Sequence, residues 1–89
     1  SLYQNYPNPF NPATTIKFDV KAKGKSEKAK INLTVFDLLG KEVINLVNGE
    51  LSPGIYEVDY DASNLPSGVY FYKLVSGEFS ESKRMVLIK

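Results

Sequence analysis

The stretch Asn64-Leu65-Pro66-Ser67-Gly68-Val69-Tyr70-Phe71-Tyr72-Lys73-Leu74 decides how this chain is read. It opens on a turn, because Pro66 fixes its own φ and Gly68 is free of Cβ constraints. It then alternates: Tyr70, Tyr72 and Leu74 on one side, Phe71 and Lys73 on the other. That period of two is a strand with one buried face. A tyrosine at the start of such a strand, two residues before a core position, has the layout of the tyrosine corner of immunoglobulin-like sandwiches. Tyr70 is then the corner and Tyr72 the core residue; the simpler alternative is two core tyrosines on one strand.

Working outward, the same alternation recurs. Ile16, Phe18 and Val20 alternate with Lys17 and Asp19, and Ile31, Leu33 and Val35 with Asn32 and Thr34. Asp37-Leu38-Leu39-Gly40-Lys41 reads as a tight turn, with Gly40 supplying a positive φ. Glu42 to Val47 is a third strand. Asn48-Gly49 and Pro53-Gly54 bracket a connection. Tyr56, Val58 and Tyr60 then alternate with Glu57, Asp59 and Asp61, and Phe79 to Ile88 closes the series. Residues 21–30, rich in lysine, read as a solvated loop or frayed hairpin. No stretch has helical periodicity. The expectation is an all-β, immunoglobulin-like antiparallel sandwich of about seven strands.

Residues 1–13 hold three of the five prolines. Proline lacks an N–H and restricts its predecessor, so this segment is extended and edge-lying. Its aromatics, Tyr3, Tyr6 and Phe10, are the expected anchors onto the core. The expected organisation is one domain, 1–89, with 1–13 a docked proline-rich segment and 14–89 the sandwich.

Composition excludes much chemistry. The 89 residues include no cysteine and no histidine. Thiol nucleophiles, His-based triads and Cys/His zinc sites are therefore absent. A formal charge of +1 gives no field for nucleic acid. No apolar run reaches the roughly 18 residues of a spanning helix. No signal peptide is present, so an exported parent is expected to carry one upstream. Glu57, Asp59 and Asp61 share one strand face, which reads as the wet face of a strand. Asp59-x-Asp61-x-Ser63 opens like a calcium loop but places Asn64 where Gly is needed and Tyr70 where Glu is needed. Asn32-Leu33-Thr34 is a formal glycosylation sequon but lies mid-strand. Tryptophan, a strong sugar platform, is absent. No catalytic residue, metal or cofactor is expected.

The motifs in order are specific. Leu2 to Pro12, with Pro7-Asn8-Pro9 at its centre, is followed by Val35 to Val43 with its Gly40-Lys41 turn. Leu65 to Leu74 carries Gly68 and Tyr70, and the tail is Lys83-Arg84-Met85-Val86-Leu87-Ile88-Lys89. Together they resemble the type A C-terminal sorting domain of the type IX secretion system of Bacteroidota. The resemblance implies a secretion signal, covalently part of a larger cargo protein. It implies passage through the periplasm, recognition by an outer-membrane translocon, and removal by a sortase-like cysteine protease that cuts just upstream of Leu2. It points to Gly68, Tyr70, Lys83, Arg84, Met85, Leu87 and Lys89 as recognition candidates, and to Pro7, Asn8, Pro9, Gly40 and Tyr70 as structural motif residues. A monomer is expected. The alternatives are a structural domain related to that of flagellar hook-capping proteins and a carbohydrate-binding module of a secreted hydrolase.

Overall fold

A computed structural model describes residues 1–21 and 28–89. Most of the lysine-rich stretch thus lies outside the described residues. The chain forms β1 (Ala13–Val20), β2 (Ala29–Phe36), β3 (Glu42–Leu51), β4 (Gly54–Asp61), β5 (Gly68–Ser76) and β6 (Phe79–Leu87). β1 and β4 pair as a two-stranded sheet, and the second sheet has the order β3-β2-β5-β6. All neighbours are antiparallel. The chain changes sheet between β1 and β2, again between β3 and β4, and again between β4 and β5. This exchange makes the sandwich immunoglobulin-like, because both sheets must face each other across one core.

Alternation explains the core. Ile16, Phe18 and Val20 of β1, Ile31, Leu33 and Val35 of β2, and Tyr70, Tyr72 and Leu74 of β5 are all buried. Full burial of such a side chain contributes roughly 1.5–3 kcal/mol. Phe18 stacks on Tyr56 of β4 with ring centroids 5.6 Å apart, tying the pair within the smaller sheet.

Three sequence expectations need correction. Among the described residues the strands number six, against the expected seven or so. Residues 1–12 form no continuous strand, because proline removes the donors a ladder needs. What remains is a set of isolated bridges, Leu2↔Phe18, Tyr6↔Thr15 and Phe10↔Leu87. Next, Asn48-Gly49 is not a turn. Both residues continue β3, pairing Asn48 with Asn32 and Gly49 with Ile31. The β2–β3 register shifts between Leu33/Thr34 and Val35/Phe36. These bulges break the alternation by which the strand would have been recognised. Finally, the N-terminal anchors differ. Phe10 is 1% exposed, but Tyr6 is 81% exposed, and Leu2 and Asn5 are buried instead. The bridge to Thr15 fixes Tyr6 in register, and that register points its ring outward.

Candidate recognition site

The sequence motifs meet at one end of the sandwich. Gly68 pairs with Leu87 across β5 and β6, and Leu87 in turn bridges Phe10. The opening motif, the glycine-tyrosine strand and the tail are therefore adjacent, although Phe10 and Leu87 lie far apart in the chain. The β2–β3 turn completes this end. Asp37 builds that turn: its Oδ1 accepts from the N–H of Leu39 at 3.0 Å and of Lys41 at 2.9 Å, and its carbonyl accepts from Gly40 at 3.0 Å. Gly40 sits at φ 84, in the left-handed region that favours glycine. The turn holds Leu38 and Leu39 out at its tip, 65% and 92% exposed. A shallow apolar notch runs from these leucines to Leu65, Pro66 and Val69.

Each residue singled out in the sequence has a definite place. The Tyr70 hydroxyl donates to the Pro66 carbonyl at 2.7 Å, the bond that defines a tyrosine corner. Met85 and Leu87 are core residues, 0% and 1% exposed. Lys83 lies 3.4 Å from Glu81 as a half-exposed ion pair. The Arg84 side chain is exposed. Lys89 returns to the β4–β5 connection: its N–H donates to Ser67 Oγ at 3.0 Å and its Nζ to the Ser63 carbonyl at 2.6 Å. Asn8 Oδ1 accepts from the Val86 N–H at 3.0 Å. The Pro7 carbonyl accepts from Thr14 Oγ1 at 2.9 Å and Asn5 Nδ2 at 3.1 Å. Pro9 is exposed. The peptide bonds preceding Pro7, Pro9 and Pro12 are cis.

Sequence reasoning missed two contributors. Tyr72 is more than a core residue. Its hydroxyl accepts from the Asn5 N–H and donates to the Tyr3 carbonyl, both at 2.7 Å, so it latches the N-terminal segment to β5. Burial pushes its phenol up to about 12, while the Asn5 bond pulls the other way. Ile88, 51% exposed, presents the apolar end of the tail. Strand alternation was the available signal for Ile88, since it falls opposite in phase to Met85 and Leu87. Among the described residues, no cluster of acidic side chains is arranged to hold a metal ion. No helix among them is long and apolar enough to cross a membrane.

The fold is thus a small antiparallel sandwich whose signature residues gather at one end. The chain belongs to the family described as the secretion system C-terminal sorting domain, whose model matches residues 4–89. This is the type IX sorting-domain family that the motifs resemble. Among solved structures, the chain is similar to PorZ of Porphyromonas gingivalis, described as an essential bacterial surface component of the type IX secretion system. The TM-score is 0.67 at 21% identity, over 99% of this chain and 11% of that one. The likeness concerns the fold alone, and the chain spans only a small part of that protein's length. No curated protein matches the sequence.

Proposed function

We propose that residues 1–89 act as one address unit, joined covalently to a cargo upstream of Leu2. The unit is carried with its cargo through the periplasm and bound by an outer-membrane translocon. A sortase-like cysteine protease then cuts it away, leaving the cargo at the cell surface. The domain works as a monomer, without cofactor or catalysis of its own. The observation that carries this reading is the meeting of the signature motifs at one end, in a chain that belongs to the sorting-domain family over residues 4–89.

Within that end the candidates divide by exposure. Arg84, Ile88 and Lys89 are exposed, Lys83 is partly so, and these four touch the translocon. Gly68 keeps the surface beside them low, since a Cβ there would meet nothing within 4 Å. Tyr70, Met85 and Leu87 act by holding the strand that displays them.

The test is a fusion of this domain to the C-terminus of a periplasmic reporter in a bacterium with a type IX system. The reporter is expected at the surface or in the medium, with the domain missing from the mature product. Lys83→Ala with Lys89→Ala is expected to reduce export while leaving the domain folded, since exposed charges contribute little to stability. A reporter retained in the periplasm with compatible machinery present would refute the sorting reading. Normal export of the double variant would remove the lysines from the recognition surface.

A further inference from the structure

The four-stranded sheet is closed along its β6 edge, where the Phe10 N–H donates to the Val86 carbonyl at 2.9 Å and Gln4 Nε2 to the Arg84 carbonyl at 2.7 Å. Its outer face, over β2, β3 and β5, holds a groove of about 460 Å³, within the range of small-molecule sites. The bulges of the β2–β3 ladder build it. Asn32, Thr34 and Phe36 alternate along β2 and so share one face. Their partners on β3 are Asn48, Asn45 and Glu42. Those three are spaced by three, and a regular strand would turn Asn45 to the opposite face. The register shifts at Leu33/Thr34 and Val35/Phe36 absorb the extra residues and bring all three side chains into the groove. On the other flank Lys73 and Val75 pair with Thr34 and Asn32.

The polar groups inside are locked. Thr34, only 6% exposed, donates from Oγ1 to Asn32 Oδ1 at 2.6 Å. Asn45 Nδ2 donates to Asn32 Oδ1 at 2.9 Å and to Thr34 Oγ1 at 2.8 Å. The cluster thus turns one half of each amide inward. Among the described residues, Asn32 Nδ2 remains an unused donor and Asn45 Oδ1 an unused acceptor on adjacent strands. Lys73 and Glu42 are exposed at the rim, and neither forms an ion pair among the described residues.

An ordinary wet face is built differently. The outer face of the smaller sheet carries charged residues, among them Lys17, Asp19, Glu57 and Asp59. Asparagine is depleted in strands, yet three stand together here, gathered by bulges that interrupt the ladder. A fixed donor beside a fixed acceptor suits a hydroxyl, which both gives and takes a bond. Phe36 and Val75 supply apolar surface for the C–H face of a ring. Glu42 opposes an anion.

We propose that this groove is a binding site for a neutral saccharide, with Asn32 and Asn45 contacting its hydroxyls, Glu42 and Lys73 bonding it at the rim, and Thr34 acting as a positioning residue for the two amides. The site stands whether or not the domain sorts cargo.

The test titrates the isotope-labelled full chain with maltohexaose, xylohexaose and mannohexaose in turn, and with inorganic phosphate. At least one saccharide is expected to shift the side-chain amide signals of Asn32 and Asn45 saturably, with a Kd on the order of 1 mM for so open a groove. Asn45→Ala, at an exposed position, is expected to weaken that binding about tenfold by removing the acceptor, which corresponds to about 1.4 kcal/mol. Glu57→Ala, on the other sheet, is expected to bind as the wild type does. Thr34→Val is expected to weaken binding and Thr34→Ser to restore it, because serine returns the hydroxyl that holds both amides. If none of the saccharides moves either asparagine, or phosphate alone does, the proposal is overturned. Wild-type affinity in a folded Asn45→Ala overturns it as well. Equal affinity of Thr34→Val and Thr34→Ser would remove Thr34 from the site.

Discussion

At the residue scale, two tyrosine hydroxyls on one strand carry separate duties. Tyr70 secures the β4–β5 connection, and Tyr72 secures the N-terminal segment. Tyr70→Phe leaves the Pro66 carbonyl without its donor and is expected to destabilise by roughly 1–3 kcal/mol in urea unfolding. A change within error would reduce Tyr70 to a packing residue. Tyr72→Phe removes an acceptor and a donor at once, so a loss at the upper end of that range is expected. Its second signature is faster exchange at the Asn5 amide. Tyr72 also sets a pH dependence. Its folded pKa, about 12, lies above the ordinary tyrosine value, chiefly through burial. The neutral phenol is therefore favoured by folding. The contribution is complete below about pH 10 and lost as pH rises toward the folded value. Tyr60 is raised in the same direction by burial. The urea midpoint should fall between about pH 10 and 12 in the wild type, and less steeply in Tyr72→Phe. Equal slopes would mean that Tyr72 does not titrate differently in the two states.

At the element scale, the β2–β3 hairpin depends on its turn. A Cβ at Gly40 would meet no atom within 4 Å, so Gly40→Ala tests backbone conformation alone. At φ 84 the left-handed cost is roughly 1–2 kcal/mol, and that loss is expected by thermal or urea unfolding. An unchanged midpoint would show that the turn relaxes without cost. The elements differed in how openly their sequences declared them. β1, β2, β4 and β5 have one buried face, so Ile16-Phe18-Val20 or Tyr70-Tyr72-Leu74 announces the strand directly. β3 was half hidden. Its bulges put Val43 and Leu46 out of phase, and Asn48-Gly49 has the composition of a turn while serving as strand. The N-terminal segment was legible as docked, but its anchors were not. Which of Leu2, Tyr3, Asn5 and Tyr6 points inward depends on register with β1, and register comes from partners distant in sequence. The site was legible as motifs. Their meeting was not, because no local rule places Phe10 beside Leu87.

At the scale of the molecule, both ends of the chain are needed to close one core. Leu2 and Phe10 enter it from the N-terminal side, and Met85 and Leu87 from the C-terminal side. A chain stopped after Lys83 loses the latter pair and the bridge that seats Phe10. Deleting two buried side chains of this size is expected to cost several kcal/mol. A small domain has about 5–15 kcal/mol to lose. Such a chain is expected to lose its cooperative unfolding transition and to bind apolar dyes. A cooperative transition of normal amplitude would show that the sandwich closes without its tail.

The side-chain clasp of Gln4 on Arg84, spanning 80 positions, has a consequence for biosynthesis. A ribosome releases the first of these residues long before it makes the second. Until translation has passed Leu87, the emerging polypeptide has no means of shutting its own seam. Products that stop before Leu87 therefore leave the ribosome with an open domain. Completion of β6 is thereby written into the shape of the domain itself.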